Sequence, residues 1–322
     1  MRVIALISWC ALFFAAVAPG ARAQPYPDKP LRFVIPFPPG GGADNLARIV
    51  GQRVGEDLGQ PLVVDNRAGA GGNVAAEVAA RSAPDGYTLL QANVAHAISS
   101  TLYRKLNYDL LKDFDAVTQL ASIPFVLLVN PSLGAGSVSE LIGVAKKRPG
   151  QLNYASSGNG GPSHMAMELF KSMAGVEMRH IPYRGAAPAA TDVIAGRVHM
   201  MFFTVSAALP YVKSGKLQAL AIASARRSPQ LPDLTTVNEA GIPGFEASTW
   251  FGVVVPAKTP ARVIERLHAV FTGALRAPGV RDRLLAQGFE IIGSTPSEFG
   301  AYMRAEIPKW AAVVKAAGVV AE

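Results

Sequence analysis

Cysteine is almost missing from this chain of 322 residues: Cys10 stands alone. It lies within an apolar stretch near the start, with bulky Trp9 before it, which argues against lipid attachment there. Everything downstream therefore lacks a disulfide and a thiol nucleophile, and stability must come from burial. Long apolar runs are also missing after the first residues, so no later segment reads as a membrane span. The five histidines are scattered without metal-ligand spacing; His164 and Glu168 are four apart, but no second histidine joins them. Catalytic signatures fail one by one. Gly-x-Ser-x-Gly is absent, and Met165 stands where Ser163 would need its glycine. Gly215-Lys216 is followed by Leu217 rather than a hydroxyl residue, and Val74 breaks the glycine pattern begun by Gly69 and Gly71. No metal and no cofactor is expected.

Charge is one-sided but dispersed. The formal balance is +8, and Arg2 and Arg22 in the first segment supply two of those charges, leaving +6 elsewhere. Lys146-Lys147-Arg148 and Arg226-Arg227 are short solvated clusters, not a basic stripe interleaved with aromatics. That excludes a nucleic-acid reader, while the excess positive charge favours anionic small molecules.

What is present begins with an export leader. Met1-Arg2 is positive, Val3 to Val17 is almost wholly apolar, and Ala21-Arg22-Ala23 fits the small-x-small cleavage pattern. Residues 1–23 are thus read as a signal peptide cut after Ala23, which sends the chain to the periplasm. The remaining length suffices for a large core in two lobes.

Two glycine-rich loops dominate the rest. Phe37, Pro38, Gly41, Gly42 and Asp44 lie between a short apolar strand and an amphipathic helix. Ser156, Ser157, Gly158 and Ser163 repeat that arrangement more than a hundred residues later. A helix N-terminus offers free N–H groups and partial positive charge, and glycine lets a ligand approach the backbone. The bland alternative for the first loop is a tight turn with Asp44 as N-cap.

Strand and helix patterns alternate in the βαβα rhythm of a parallel sheet. Strands are expected at Leu31 to Pro36, Leu62 to Val64, Tyr87 to Gln91, Phe125 to Val129, Leu152 to Ala155, Met178 to Pro182, Val198 to Phe203, Leu217 to Ala223 and Trp250 to Val255. Helices are expected at Asp44 to Leu58, Asn73 to Arg81, Val138 to Lys147, Ser163 to Met173, Ala187 to Ala195 and Ala207 to Ser214, then from Pro260 and from Pro296. Asn93 and His96 follow a strand, where residues face a cleft or form a plain polar loop. Arg184 also follows a strand, and faces either the ligand or solvent. Phe203 and Thr204 are candidates for the second lobe's cleft wall.

At these residues a family resemblance emerges. Tyr26-Pro27-Asp28-Lys29-Pro30, the loop Pro36 to Gly41, Asn66-Arg67-x-Gly69-Ala70-Gly71-Gly72 and Pro84-Asp85-Gly86-Tyr87-Thr88-Leu89-Leu90 match in order. So do Asn153-Tyr154-Ala155-Ser156, Pro182-Tyr183-Arg184-Gly185, Glu239-Ala240-Gly241-x-Pro243-Gly244-Phe245 and Trp250-Phe251-Gly252. The chain resembles the solute-binding receptors of tripartite tricarboxylate transporters, often called the Bug family. The resemblance covers the whole mature chain. It implies an α/β clamshell of the type II periplasmic-binding-protein kind with two hinge crossings. Lobe 1 would comprise 24–122 plus 224–322, and lobe 2 would comprise 123–223. It further implies a monomer that captures a small organic acid through loop N–H groups and small polar side chains and hands it to transporter membrane subunits. A family strand commonly ends in Asp-Asn or Asp-Thr where this chain has Phe203-Thr204, and His199 stands where an aspartate is common. With Phe37 and Phe203 as apolar walls, the expected ligand is a carboxylate without an amino group, aromatic acids included. Two other readings remain open at this point: an exported α/β hydrolase or dehydrogenase-like enzyme, and a sensor signalling to a membrane partner.

Overall fold

The computed structural model describes residues 26–320. The leader, the cut after Ala23 and Cys10 lie outside them. The first half opens with strand β1 (Leu31–Ile35), helix α1 (Gly42–Leu58), β2 (Leu62–Asn66), α2 (Asn73–Ala80), β3 (Thr88–Asn93) and α3 (Val94–Leu102). A long strand β4 (Phe114–Val129) leads to α4 (Val138–Lys147), β5 (Asn153–Ser156), α5 (Pro162–Ala174) and β6 (Arg179–Pro182). Then come α6 (Ala186–Ile194), β7 (Met200–Thr204), α7 (Val205–Lys213) and β8 (Gln218–Ile222). The chain finishes with β9 (Ser248–Pro256), α8 (Ala261–Arg276), α9 (Pro278–Ala286), β10 (Glu290–Ile291) and α10 (Pro296–Ala317).

One sheet of ten strands runs in the order β2-β1-β3-β9-β4-β7-β5-β6, with β8 and β10 also paired to β4. The parallel reading holds within β1, β2 and β3 and within β5, β6 and β7. It fails at the centre, where β9 is antiparallel to β3 and β4, and β4 is antiparallel to β7 and β8. The central strands pass between the two parallel sets, so they enter each set against its direction.

β4 is eleven residues longer at its start than the expected strand at Phe125 to Val129. Pro124 and the polar Thr118, Gln119 and Ser122 disguise it. A proline inside a central strand removes a ladder hydrogen bond. Here it falls where β4 changes neighbours: Pro124 is the last residue opposite β9, and Phe125 is the first opposite β7. The buried Thr118 hydroxyl donates to the Ser294 carbonyl at 2.7 Å, and the Ser294 hydroxyl accepts from the Gln119 N–H at 3.0 Å. Helix α3 follows β3, where the sequence offers either cleft-facing residues or a plain polar loop, and α9 is an element the sequence reading did not contain. The latter starts with Pro278 in its first turn, where a missing N–H costs nothing.

Three apolar clusters hold the layers together. One joins Tyr154, Phe170, Phe202, Phe245, Trp250, Phe299 and Trp310 beneath α3, α5 and α10. A second packs Phe33, Leu46, Leu89, Leu267 and Phe271 between the first parallel set and α1 and α8. The third places Ala189, Val193, Met201 and Leu217 beside β7 and α6.

Candidate functional site

A cavity of about 890 Å³ lies where the two parallel sets face each other across β4 and β9. Four helices begin at it. Gly41, Gly42, Ala43 and Asn45 line it from the start of α1, and Pro162 and Ser163 from the start of α5. Gly185 and Ala186 do so from α6, and Thr204, Ser206 and Ala207 from α7. None of these four N-termini carries a side-chain cap, in contrast to α3, α4 and α10, which use Asn93, Ser137 and Thr295. Helices α2, α8 and α9 are uncapped too, so convergence on one space is what sets the four apart. Each brings orphan N–H donors and roughly half a positive charge.

Among the described residues, no lysine, arginine, histidine, aspartate or glutamate lines the cavity. Its side-chain donors are neutral: Asn45, Ser157, Ser163, Thr204, Ser206, Thr249 and Gln287. Aromatic rings supply much of the remainder, through Phe37, Phe125, Phe203, Phe251 and Phe289. Such a site suits an anion held by N–H and hydroxyl groups, since hydrogen bonds to a charged acceptor are stronger than neutral ones.

The sequence-selected residues divide in two. Phe37, Gly41, Gly42, Ser157, Ser163, Phe203 and Thr204 meet on the cavity. Pro38, Asp44, Asn93, His96, Ser156, Gly158 and Arg184 are not on its lining. Asp44 is buried in the first turn of α1, where its carboxylate accepts from Gly40 N–H and Arg48 Nε at 2.9 Å and from Asn66 Nδ2 at 3.0 Å. Burial works to raise its pKa, but those bonds outweigh it and hold the carboxyl below its ordinary value. Asn93 caps α3 by accepting from Ala95 N–H at 2.8 Å. His96 completes that capping box: its Nδ1 accepts from Asn93 N–H at 3.1 Å, and Nε2–H donates to the Gly72 carbonyl at 3.3 Å. Both are buried. Arg184 and Pro38 are exposed.

The second glycine-rich loop is supported from behind by a buried polar stack. Ser163 Oγ accepts from Ser157 N–H and meets the Ser157 hydroxyl, both at 3.1 Å. His164 Nδ1 accepts from Gly160 N–H at 2.9 Å, and His180 Nε2 lies 2.6 Å from Ser156 Oγ. The two imidazoles stack with centroids 3.6 Å apart. Burial, reinforced by the neighbouring His180 and Lys171, pushes His164 down to about 3. Burial pushes His180 down to about 4. Tyr154 donates to Glu168, which is also bound by Lys171 Nζ at 2.6 Å. The serine–histidine contact does not make a nucleophile accessible, because Ser156 is fully buried and its hydroxyl also donates to the Gly158 carbonyl at 3.0 Å.

Sequence reasoning missed Asn45, Ser206, Thr249 and Gln287 among the polar lining, and Ile123, Phe125, Phe251 and Phe289 among the apolar lining. Asn45 and Ser206 sit in the first turns of α1 and α7, so the helix-start argument reaches them. Phe251 belongs to the Trp250-Phe251-Gly252 motif already noted, and Thr249 lies just before it. Gln287 and Phe289 follow α9, which gave no signal.

Comparison with known proteins places this geometry in context. Residues 46–319 match the family described as tripartite tricarboxylate transporter family receptor. The protein BugT of Bordetella pertussis is 36% identical over 322 residues, covering 99% of both chains. Among solved structures, R. palustris Rpa4515 with adipate is 37% identical with a TM-score of 0.80, covering 92% of this chain and 99% of that one. MatC from Rhodopseudomonas palustris with bound malate is 32% identical with a TM-score of 0.77, covering 90% of this chain and 100% of that one.

Proposed function

The chain belongs to the tripartite tricarboxylate transporter receptor family, and from that premise we propose that it captures a small organic carboxylate in the cavity and releases it unchanged. The observation that carries the reading is the convergence of four uncapped helix N-termini on a space that no charged side chain lines among the described residues. Adipate and malate in the related structures are carboxylates of the kind such a site accepts. Chemistry on the ligand has no support here, since among the described residues the cavity brings together no acid, base or activated nucleophile.

In this reading the lobes are 24–122 with 224–322, and 123–223. The neighbour change at Pro124 and the return through Ala223, whose N–H donates to Phe125 at 2.7 Å, support that division. The protein is exported to the periplasm after cleavage behind Ala23, acts as a monomer and delivers its ligand to transporter membrane subunits. A thermal-shift screen of mono- and dicarboxylates tests the receptor. A binder present at a hundred times its dissociation constant adds about 2.7 kcal/mol of stability, enough to raise Tm by several degrees. Recovery of the acid unaltered after incubation is expected. Turnover products, or no stabilisation by any carboxylate, would overturn the proposal.

A further inference from the structure

The lining of the cavity says more about the ligand than its acidic head. Resting on the receptor reading, we infer that the preferred ligand is a carboxylate with a flat apolar body, aromatic in the simplest case, and without an ammonium group.

The exclusion of an ammonium group follows from charge. Among the described residues, no aspartate or glutamate lines the cavity. Asp44, in the first turn of α1, is already committed to Arg48, Asn66 and the Gly40 N–H. An ammonium group would thus be desolvated without an ionic partner, in a space toward which four helices point their positive ends. A carboxylate in the same place gains from both effects.

The apolar body follows from the wall beside those helix starts, where Ile123 and Phe289 lie next to Gly42 and Phe125 is paired with Thr204. There β4 supplies Ile123 and Phe125, β9 supplies Phe251, and the connection from α9 to β10 supplies Phe289. These elements are neighbours in the sheet, with Ala121 opposite Phe251 and Ala121 opposite Ile291. Phe251 and Phe289 meet edge to face with centroids 6.1 Å apart. Phe203 enters from β7 and Phe37 from the loop after β1, so rings approach from more than one side. Phe125, Phe203, Phe251 and Phe289 are themselves buried and show the cavity only part of each ring, and aromatic rings favour a flat partner in offset or edge-to-face contact. On that wall the only side-chain donors among the described residues are Thr249 and Gln287, both neutral. They can orient a hydroxyl or carbonyl substituent. A second carboxylate there would lose water against phenyl rings, which makes a dicarboxylate of similar length the poorer ligand.

Titration calorimetry on the purified exported protein tests this with 3-phenylpropionate, phenylalanine and adipate. Phenylalanine differs from 3-phenylpropionate by the amino group alone. The expected order is 3-phenylpropionate first, with phenylalanine at least tenfold weaker and adipate weaker too. Phenylalanine binding as tightly as its des-amino analogue would overturn the charge argument. Adipate outcompeting the aromatic acid would overturn the wall argument while leaving the receptor reading intact. Failure of every carboxylate would overturn both. Phe251→Leu, which keeps an apolar side chain of nearly the same reach, should weaken 3-phenylpropionate several-fold more than it weakens adipate. Equal losses for both acids would show that the ring is merely packing.

Discussion

Gly41 and Ser157 act at the smallest scale, through what they leave open and what they donate. A Cβ on Gly41 would meet only the Pro38 carbonyl oxygen, at 3.9 Å, and the backbone there has φ of −83°, which any residue adopts. Gly41→Val should therefore fold normally, with Tm nearly unchanged, yet block backbone approach at the start of α1. Calorimetry should show ligand affinity lowered at least tenfold; equal affinity would remove this loop from the site. Gly158 is a poorer probe than its sequence context suggests, because its φ of 152° strains any replacement. Ser157→Ala removes a neutral donor from the lining, and a hydrogen bond to a charged acceptor is worth about 1.5–3 kcal/mol. A second residue-scale test concerns His96. Burial drives its pKa from 6.5 to about 4, so it stays neutral in the folded state where the unfolded chain would take up a proton. Below pH 6.5 the unfolded state binds more protons, and stability falls as pH drops toward 4. The loss attributable to His96 is roughly 2 kcal/mol between pH 7 and pH 4.5, and His164 and His180 add in the same direction. Urea unfolding at both pH values should show the decline. His96→Gln should be less stable at pH 7 but lose less on acidification.

Among the elements, α10 shows how one short motif is built from separate physical needs. Trp250, Phe251 and Gly252 follow one another on β9. Trp250 Nε1 donates to Glu306 on α10 at 3.0 Å, and Trp310 Nε1 donates to the same carboxylate at 2.8 Å. Phe251 lines the cavity, and Gly252 leaves room for the fully buried Phe299 ring, which a Cβ would overlap. Glu306→Leu strands two buried indole N–H groups and should cost about 3 kcal/mol, while Glu306→Gln keeps an acceptor and should cost less. Gly252→Ala should cost about 1–3 kcal/mol by overpacking. Calorimetric Tm values rank the three, and an unchanged Tm in Glu306→Leu would contradict the assignment. The same elements explain what was legible beforehand. Helices with a clean apolar stripe and a glycine stop, such as α1 ending at Gly59, were readable to within a residue or two because local sequence determines them. β4 and the antiparallel centre were not, since pairing across the sheet is a tertiary choice and Pro124 mimics a strand break. Half of the selected site residues line the cavity, and Gly41, Gly42, Ser163 and Thr204 do so because a helix begins beside each. Asn93 and His96 do not, since a capping box and a ligand contact use the same residue types at the same place.

Taken whole, the molecule sets one parallel strand set against another, with β4 and the segment returning after Ala223 passing between them. Contacts from both sides of the cavity are available only when the sides approach, so ligand should favour the closed arrangement. The absence of cysteine after Cys10 makes this directly measurable. Val63 on β2 is 51% exposed and Met173 on α5 is 40% exposed, each on a different strand set's side. The double variant Val63→Cys with Met173→Cys can carry a donor and acceptor dye without competing thiols. Transfer efficiency should change on saturation with a carboxylate that raises Tm, and stay constant with one that does not. Small-angle scattering of the unlabelled protein should show a matching contraction. Constant efficiency and an unchanged radius at saturation would mean that the cavity binds its ligand without closing, and that Pro124 marks a change of strand neighbours rather than a hinge.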